Sequence, residues 1–155
     1  MNNFIGIKHI NKEDVDYLVR NLEDFEKDKA IKDGLKSAGN IFKKGGISRL
    51  RRSMKSGSQG VTGNLLRSLQ VRVKKSKPGV LIGFNQGKGG GSHAHLVDRG
   101  TAERFYKTKK GEKKSVGRVI GNLFWTDTEA QDYPIAMGNL YDGIEKAVNR
   151  INNRR

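Results

Sequence analysis

The chain of 155 residues contains no cysteine, so it has no disulfide framework, no thiolate zinc site and no thiol nucleophile. No apolar run approaches the ~20 residues that span a bilayer. The first residues, MNNFIGIKHINKEDVDYL, turn acidic where a secretory signal would be apolar. These absences predict a protein that stays in the compartment where it is made, unless it leaves inside a larger particle, and that does not enter a membrane. A further absence is local: from Gly34 to Val97 there is no acidic residue in 64 positions.

What is present is an excess of positive charge. Lys and Arg number 31 against 16 Asp and Glu, a formal net charge of +15. Residues 1–33 balance to −2, residues 34–97 to +13 and residues 98–155 to +4. A one-signed surface of that size repels itself in the folded state until a polyanion or an acidic protein face neutralises it. Leu, Ile, Val and Phe occupy 38 of 155 positions, enough for a modest core rather than disorder. A chain this long forms about one domain, with roughly 68 to 70% of its unfolded surface buried.

The order of periodic segments predicts an α+β fold. Asn11 caps a first, acidic helix with Val15, Leu18, Leu22 and Phe25 on one stripe. A second helix carries Ile31, Leu35, Ala38 and Phe42, and Gly45-Gly46 end or kink it before a basic continuation over residues 47–55. Residues 56–60, SGSQG, read as a loop. Leu69, Val71 and Val73 alternate with polar residues as in a half-buried strand. Pro78 and Gly79 then supply a turn into a return strand over residues 80–84. His93 to Asp98 read as a third short extended run, and Lys-rich residues 101–121 as a long mobile loop. Thr126 with Glu129 fits a capping box and Pro134 a first helical turn. Met137, Leu140, Tyr141, Ile144, Val148 and Ile151 then mark an amphipathic C-terminal helix packed on a small antiparallel sheet. No internal repeat is present.

Several short patterns touch chemistry. Gly83 to Ser92, GFNQGKGGGS, misses the phosphate-loop spacing, because three residues separate Gly83 from Gly87 and Gly follows Lys88. His93 and His95 share a face if the run is a strand, yet two histidines make half a zinc site, so they read as a structural pair and no metal or cofactor is expected. The acid-free stretch offers no carboxylate pair for magnesium, which argues against a nuclease and against catalysis generally. Arg49, Arg51, Arg52 and Lys55, with Lys74, Lys75 and Lys77 on the hairpin, are the candidate contacts to DNA phosphates or to an acidic partner. No aromatic residue lies between Phe42 and Phe84, so base stacking has little support there.

Three motifs in this order resemble the tail-completion and head-to-tail joining proteins of tailed bacteriophages, often described as minor tail components. The first, Thr62-Gly63-Asn64-Leu65-Leu66-Arg67-Ser68-Leu69, is similar to that family's Thr-Gly-x-Leu-x-x-Ser-aliphatic. The second, Gly79-Val80-Leu81-Ile82-Gly83, is similar to its return strand. The third, His93-Ala94-His95-Leu96-Val97-Asp98-Arg99-Gly100-Thr101, looks like its aliphatic-acidic-x-Gly-Thr. Asn122-Leu123-Phe124-Trp125 stands where the family usually has Pro-Phe-aliphatic-Arg-Pro.

The resemblance implies one domain over residues 1–155, with an acidic N-terminal extension over 1–28 and a family-like core over 29–152. It implies a non-enzymatic virion protein of the neck or upper tail, assembled in the host bacterial cytoplasm. Such a protein would form a homo-oligomeric ring around the DNA channel and contact portal, connector and tail proteins, with nonspecific contact to double-stranded DNA. Thr62, Gly63, Leu65, Ser68, His95, Asp98, Gly100 and Thr101 would then serve structure, with Asp98 as a turn or capping acceptor. The alternative from composition alone is a basic nucleic-acid-binding module without sequence specificity.

Overall fold

A computed structural model describes residues 5–6, 12–54, 63–76 and 78–154, with residues 5–6 as backbone only. The elements run β1 (Ile5–Gly6), α1 (Lys12–Val19), α2 (Asp24–Ser53), α3 (Asn64–Ser68), β2 (Leu69–Val73), β3 (Val80–Phe84), α4 (Ala94–Arg99), β4 (Arg104–Lys107), β5 (Lys113–Gly117) and α5 (Phe124–Asn152). The class is α+β, as the sequence predicts. A three-stranded antiparallel sheet has the order β1-β3-β2, and β4 and β5 form a separate two-stranded sheet.

The β2–β3 hairpin is present as expected, and the structure fixes its register. Leu69 lies opposite Phe84, Val71 opposite Ile82 and Val73 opposite Val80, so one face carries a double row of apolar side chains. That face packs beneath α2, where Leu69, Val80 and Ile82 join Leu35, Ala38 and Phe42 in the core. Above α2 lies α5, contributing Ala136, Leu140, Ile144 and Ala147. The C-terminal helix meets the sheet region at its start, where Phe124 and Trp125 set their rings edge-on against Phe84 at 5.9 and 5.4 Å.

The second helix is continuous over 30 residues, unlike the broken helix expected at Gly45-Gly46. Each glycine there costs up to about 1 kcal/mol relative to alanine in a free helix, so packing must hold it. A Cβ on Gly34 would stand 2.5 Å from Ile144 Cγ1 and 2.6 Å from the Leu140 carbonyl, and one on Gly46 would stand 2.8 Å from the Trp125 ring. One on Gly143 of α5 would come within 2.9 Å of Gly34 Cα, and one on Gly45 would overlap the Asp132 carboxylate. The glycines are therefore where antiparallel α2 and α5 bring their backbones together, and they stiffen the pair by letting side chains interlock.

Other local expectations change for similar reasons. Phe25 leaves the α1 stripe, because α1 ends at Val19 and Phe25 opens α2, 76% exposed. The capping box belongs to Glu23 and Glu26 at α2, whereas α5 begins two residues before Thr126. Pro134 lies inside α5, which passes through it without ending. The run His93 to Asp98 is helix α4, not a strand: after the turn at Gly90–Gly91 the Val97 amide donates to the His93 carbonyl at 3.2 Å. Residues 101–121 are not a structureless loop but hold the β4–β5 hairpin. The expected Asn11 cap and the 56–60 loop lie outside the described residues.

Candidate functional site

The motif segments converge on the start of α5. Gly63, at φ 70°, caps α3 in the left-handed region that glycine adopts freely. Leu65 then packs with Leu50, Ala94 and Phe124 in a second, smaller core. The Ser68 hydroxyl donates to the Leu65 carbonyl at 2.9 Å and presses against Gly91, while the Ser68 carbonyl accepts from the Asn85 amide at 2.8 Å. The second motif supplies β3, which runs into Phe84 at the edge of the same cluster.

Asp98 is the centre of the third motif. It is only 5% exposed. Its Oδ1 accepts from the Trp125 and Thr126 amides at 2.7 and 3.1 Å, and its Oδ2 accepts from the Thr126 hydroxyl at 2.7 Å. A carboxylate from another element thus caps the positive end of α5, as expected for a capping acceptor. That cap is needed because Leu123, the residue before the helix, is held at φ 53° and offers no side-chain cap. Beside it, burial pushes the Glu129 carboxyl above its ordinary value, against the hydrogen bond from Trp125.

Gly100 and Thr101 extend the node to the second hairpin. At φ 80°, Gly100 lies so close to Gly121 that a Cβ on it would stand 2.7 Å from the Gly121 amide nitrogen. The Thr101 amide donates to the Val119 carbonyl at 2.9 Å, and the Thr101 hydroxyl accepts from the Val119 amide at 3.0 Å. One short motif therefore fixes both the first turn of α5 and the base of the β4–β5 hairpin. His95 is exposed on α4, and His93 precedes it by two positions; residues two apart on a helix do not face each other. Among the described residues, no group of three His, Cys, Asp or Glu side chains is placed to hold a metal ion.

The cationic candidates do not form one patch. Arg49 Nη1 meets Asp132 Oδ2 at 2.7 Å and its Nη2 meets Oδ1 at 3.0 Å, with further bonds to Gln131 and Thr128. The hydrogen bond to Asp132 raises the Arg49 guanidinium above its ordinary value, so this cation is committed to the fold. Arg51 and Arg52 are exposed in the last turn of α2. Lys74 and Lys75 are exposed beyond β2, near the other end of α2, where the Lys32 ammonium donates to the Lys75 carbonyl at 2.8 Å. Nineteen helical residues, about 28 Å at 1.5 Å each, separate Lys32 from Arg51. Thr62, Lys55 and Lys77 lie outside the described residues.

The densest free charge is on the β4–β5 hairpin instead. Residues 104–117 hold six Lys and Arg and one acid, and every residue of β4 is exposed. Lys107 and Lys113 lie directly opposite each other, a like-charge pair that destabilises a bare ribbon. Among the described residues, none of these six cations is in an ion pair. Phe105 and Tyr106, 48% and 51% exposed, point to opposite faces of the ribbon, with Lys113 Nζ 4.6 Å from the Phe105 ring centre. Sequence reasoning misses this hairpin, and the signal that could have found it is the tip: Thr108-Lys109-Lys110-Gly111-Glu112 closes with the Thr108 amide on the Glu112 carbonyl at 2.8 Å and Gly111 at φ 83°, the bulged turn that Gly permits.

No family model, curated protein or solved structure matches the chain. The functional reading therefore stands on the motifs and on this geometry.

Proposed function

We propose that the chain is a non-enzymatic structural protein of the head-to-tail junction of a tailed bacteriophage. In this reading it assembles as a ring in the neck or upper tail and joins portal or connector to tail around the DNA channel. The observation that carries the reading is the meeting of the motifs: Gly63 to Ser68, the end of β3, and Asp98 to Thr101 all contact the first turn of α5 or the elements that hold it. Motifs that resemble one family in sequence, and whose residues serve one structural node, fit a shared architecture better than chance similarity. A rigid α2–α5 body with a protruding ribbon also suits a ring subunit, because head-to-tail interfaces close into rings when their rotation permits.

The test is size measurement with single-particle imaging of the full chain at raised concentration, alone and with connector or tail proteins. Rings are the expected result, and a strict monomer under every condition overturns the reading. A second reading, a nonspecific nucleic-acid binder, is favoured by the cations of the β4–β5 hairpin, which form no ion pair among the described residues. Titration of duplex binding with salt separates the two: a dedicated binder holds duplex at physiological salt with a steep salt slope, whereas the ring reading expects binding to vanish by moderate salt.

A further inference from the structure

We infer that the β4–β5 hairpin of one copy docks on the acidic, aromatic face formed by α1 and the start of α2 in a second copy of this chain. The inference deepens the ring reading and rests on it for the copy number.

The hairpin has the character of an arm awaiting a surface. A two-stranded ribbon is marginal in water by itself. This one is tied down at its base by Thr101 and Val119, while Phe105, Tyr106 and Val116 stay exposed along its length. The Lys107–Lys113 pair has no counter-charge among the described residues. A face that suits such an arm carries carboxylates and exposed aromatic rings together.

Such a face lies on the same chain. On α1, Glu13, Asp14 and Asp16 are exposed beside Tyr17, itself 64% exposed. Across the short turn, Asp24 and Phe25 are exposed at the head of α2. The three α1 carboxylates form no ion pair among the described residues. Residues 1–33 carry a net −2 in a chain of +15, so this face and the six cations of the hairpin are opposite in sign and attract when two copies approach. Arm and face are different surfaces, so the contact is heterologous and propagates around a ring instead of ending at a dimer.

The test uses the full chain. K107E/K113E should abolish or weaken self-association at least tenfold, E13K/D16K, whose side chains share one face of α1, should do the same, and the combined variant should regain it, each with an unchanged helical spectrum. Because the chain has no cysteine, a second measurement keeps the native charges. Mixing S115C with N21C under oxidation should give a disulfide heterodimer well above the dimer either variant forms alone. Rings that persist in K107E/K113E overturn this docking and leave the ring reading standing. Heterodimer without rings in the native chain keeps the docking and overturns the ring reading, and neither heterodimer nor rings overturns both. Loss of duplex binding by K107E/K113E with self-association unchanged assigns the arm to nucleic acid and overturns the inference.

Discussion

Arg49 and Lys113 carry the same charge and are used in opposite ways. Arg49 lies in the seam between α2 and α5, gripped through both nitrogens by Asp132 and by two further acceptors. Lys113 lies on a ribbon whose cations form no ion pair among the described residues, and its opposite number is another lysine. In the seam, backbone approach, apolar packing and charge all serve the fold; on the ribbon, cations and rings are exposed to solvent. The contrast teaches that a net charge counted along the chain does not measure what is available to a partner, because part of it has been taken into the structure.

That contrast can be broken from either side, and the largest effect is expected in the seam. Asp132→Ala leaves the Arg49 guanidinium half-buried without its bidentate partner and should lower unfolding free energy by about 3 kcal/mol, read by chemical denaturation. If the loss is below about 0.5 kcal/mol, the ion pair behaves as an exposed one and the contrast with the ribbon collapses.

Asp98→Ala should follow, at about 2 kcal/mol, since it strips two amides and a hydroxyl of their acceptor at the head of α5. Asp98→Asn keeps one acceptor oxygen and should cost clearly less. Equal losses for the two would mean that the charge, not the acceptor, is what α5 requires.

Gly34→Ala tests the seam's geometry. Alanine gains up to about 1 kcal/mol of helix propensity, but its methyl would meet the Leu140 carbonyl at 2.6 Å, and overpacking of this kind costs about 1 to 3 kcal/mol. A net fall in thermal midpoint is expected, and a rise would show that the helices can separate without penalty.

A smaller, pH-dependent effect is expected at Glu129. Burial holds its carboxyl above the ordinary value, so the folded state binds the proton more tightly than the unfolded chain. The stabilisation is present below the unfolded value and is lost as pH rises through the folded one. Glu129→Gln should flatten that part of the stability profile, and an unchanged slope would assign it to another group.

The smallest effect is expected on the ribbon, where K107E/K113E should shift stability by no more than about 0.5 kcal/mol. A loss as large as that of Asp132→Ala would mean that the ribbon belongs to the fold as fully as the seam does.

Much of the seam and little of the ribbon was legible in the sequence. Leu35, Ala38 and Phe42, and Leu140 and Ile144, recur at helical spacing because each of those helices buries one stripe. Leu69, Val71 and Val73 alternate because a sheet has one buried face. For Asp98 the expectation of a turn or capping acceptor comes from the resemblance of its motif, not from a local period. The ribbon carries no such period: with both faces exposed, nothing selects apolar residues at every second position, and only the Gly111 turn marked it. His93 to Asp98 misled because six residues are too few to separate a helical period from a strand period.

The sequence by itself determined the α+β class, the stripes that build α1, α2 and α5, the β2–β3 hairpin and the charge imbalance, since each follows from local periodicity, turn chemistry or counting. The tertiary structure alone decided that α2 runs unbroken through Gly45-Gly46, that Asp98 caps a helix 26 residues ahead at Phe124, and that the described candidate cations are split, with Arg51 and Arg52 at one end of α2, Lys74 and Lys75 near the other, and Arg49 in an ion pair. These depend on which backbone lies against which, and a helix breaker becomes a helix contact only when a second helix arrives to occupy the space its missing side chain leaves.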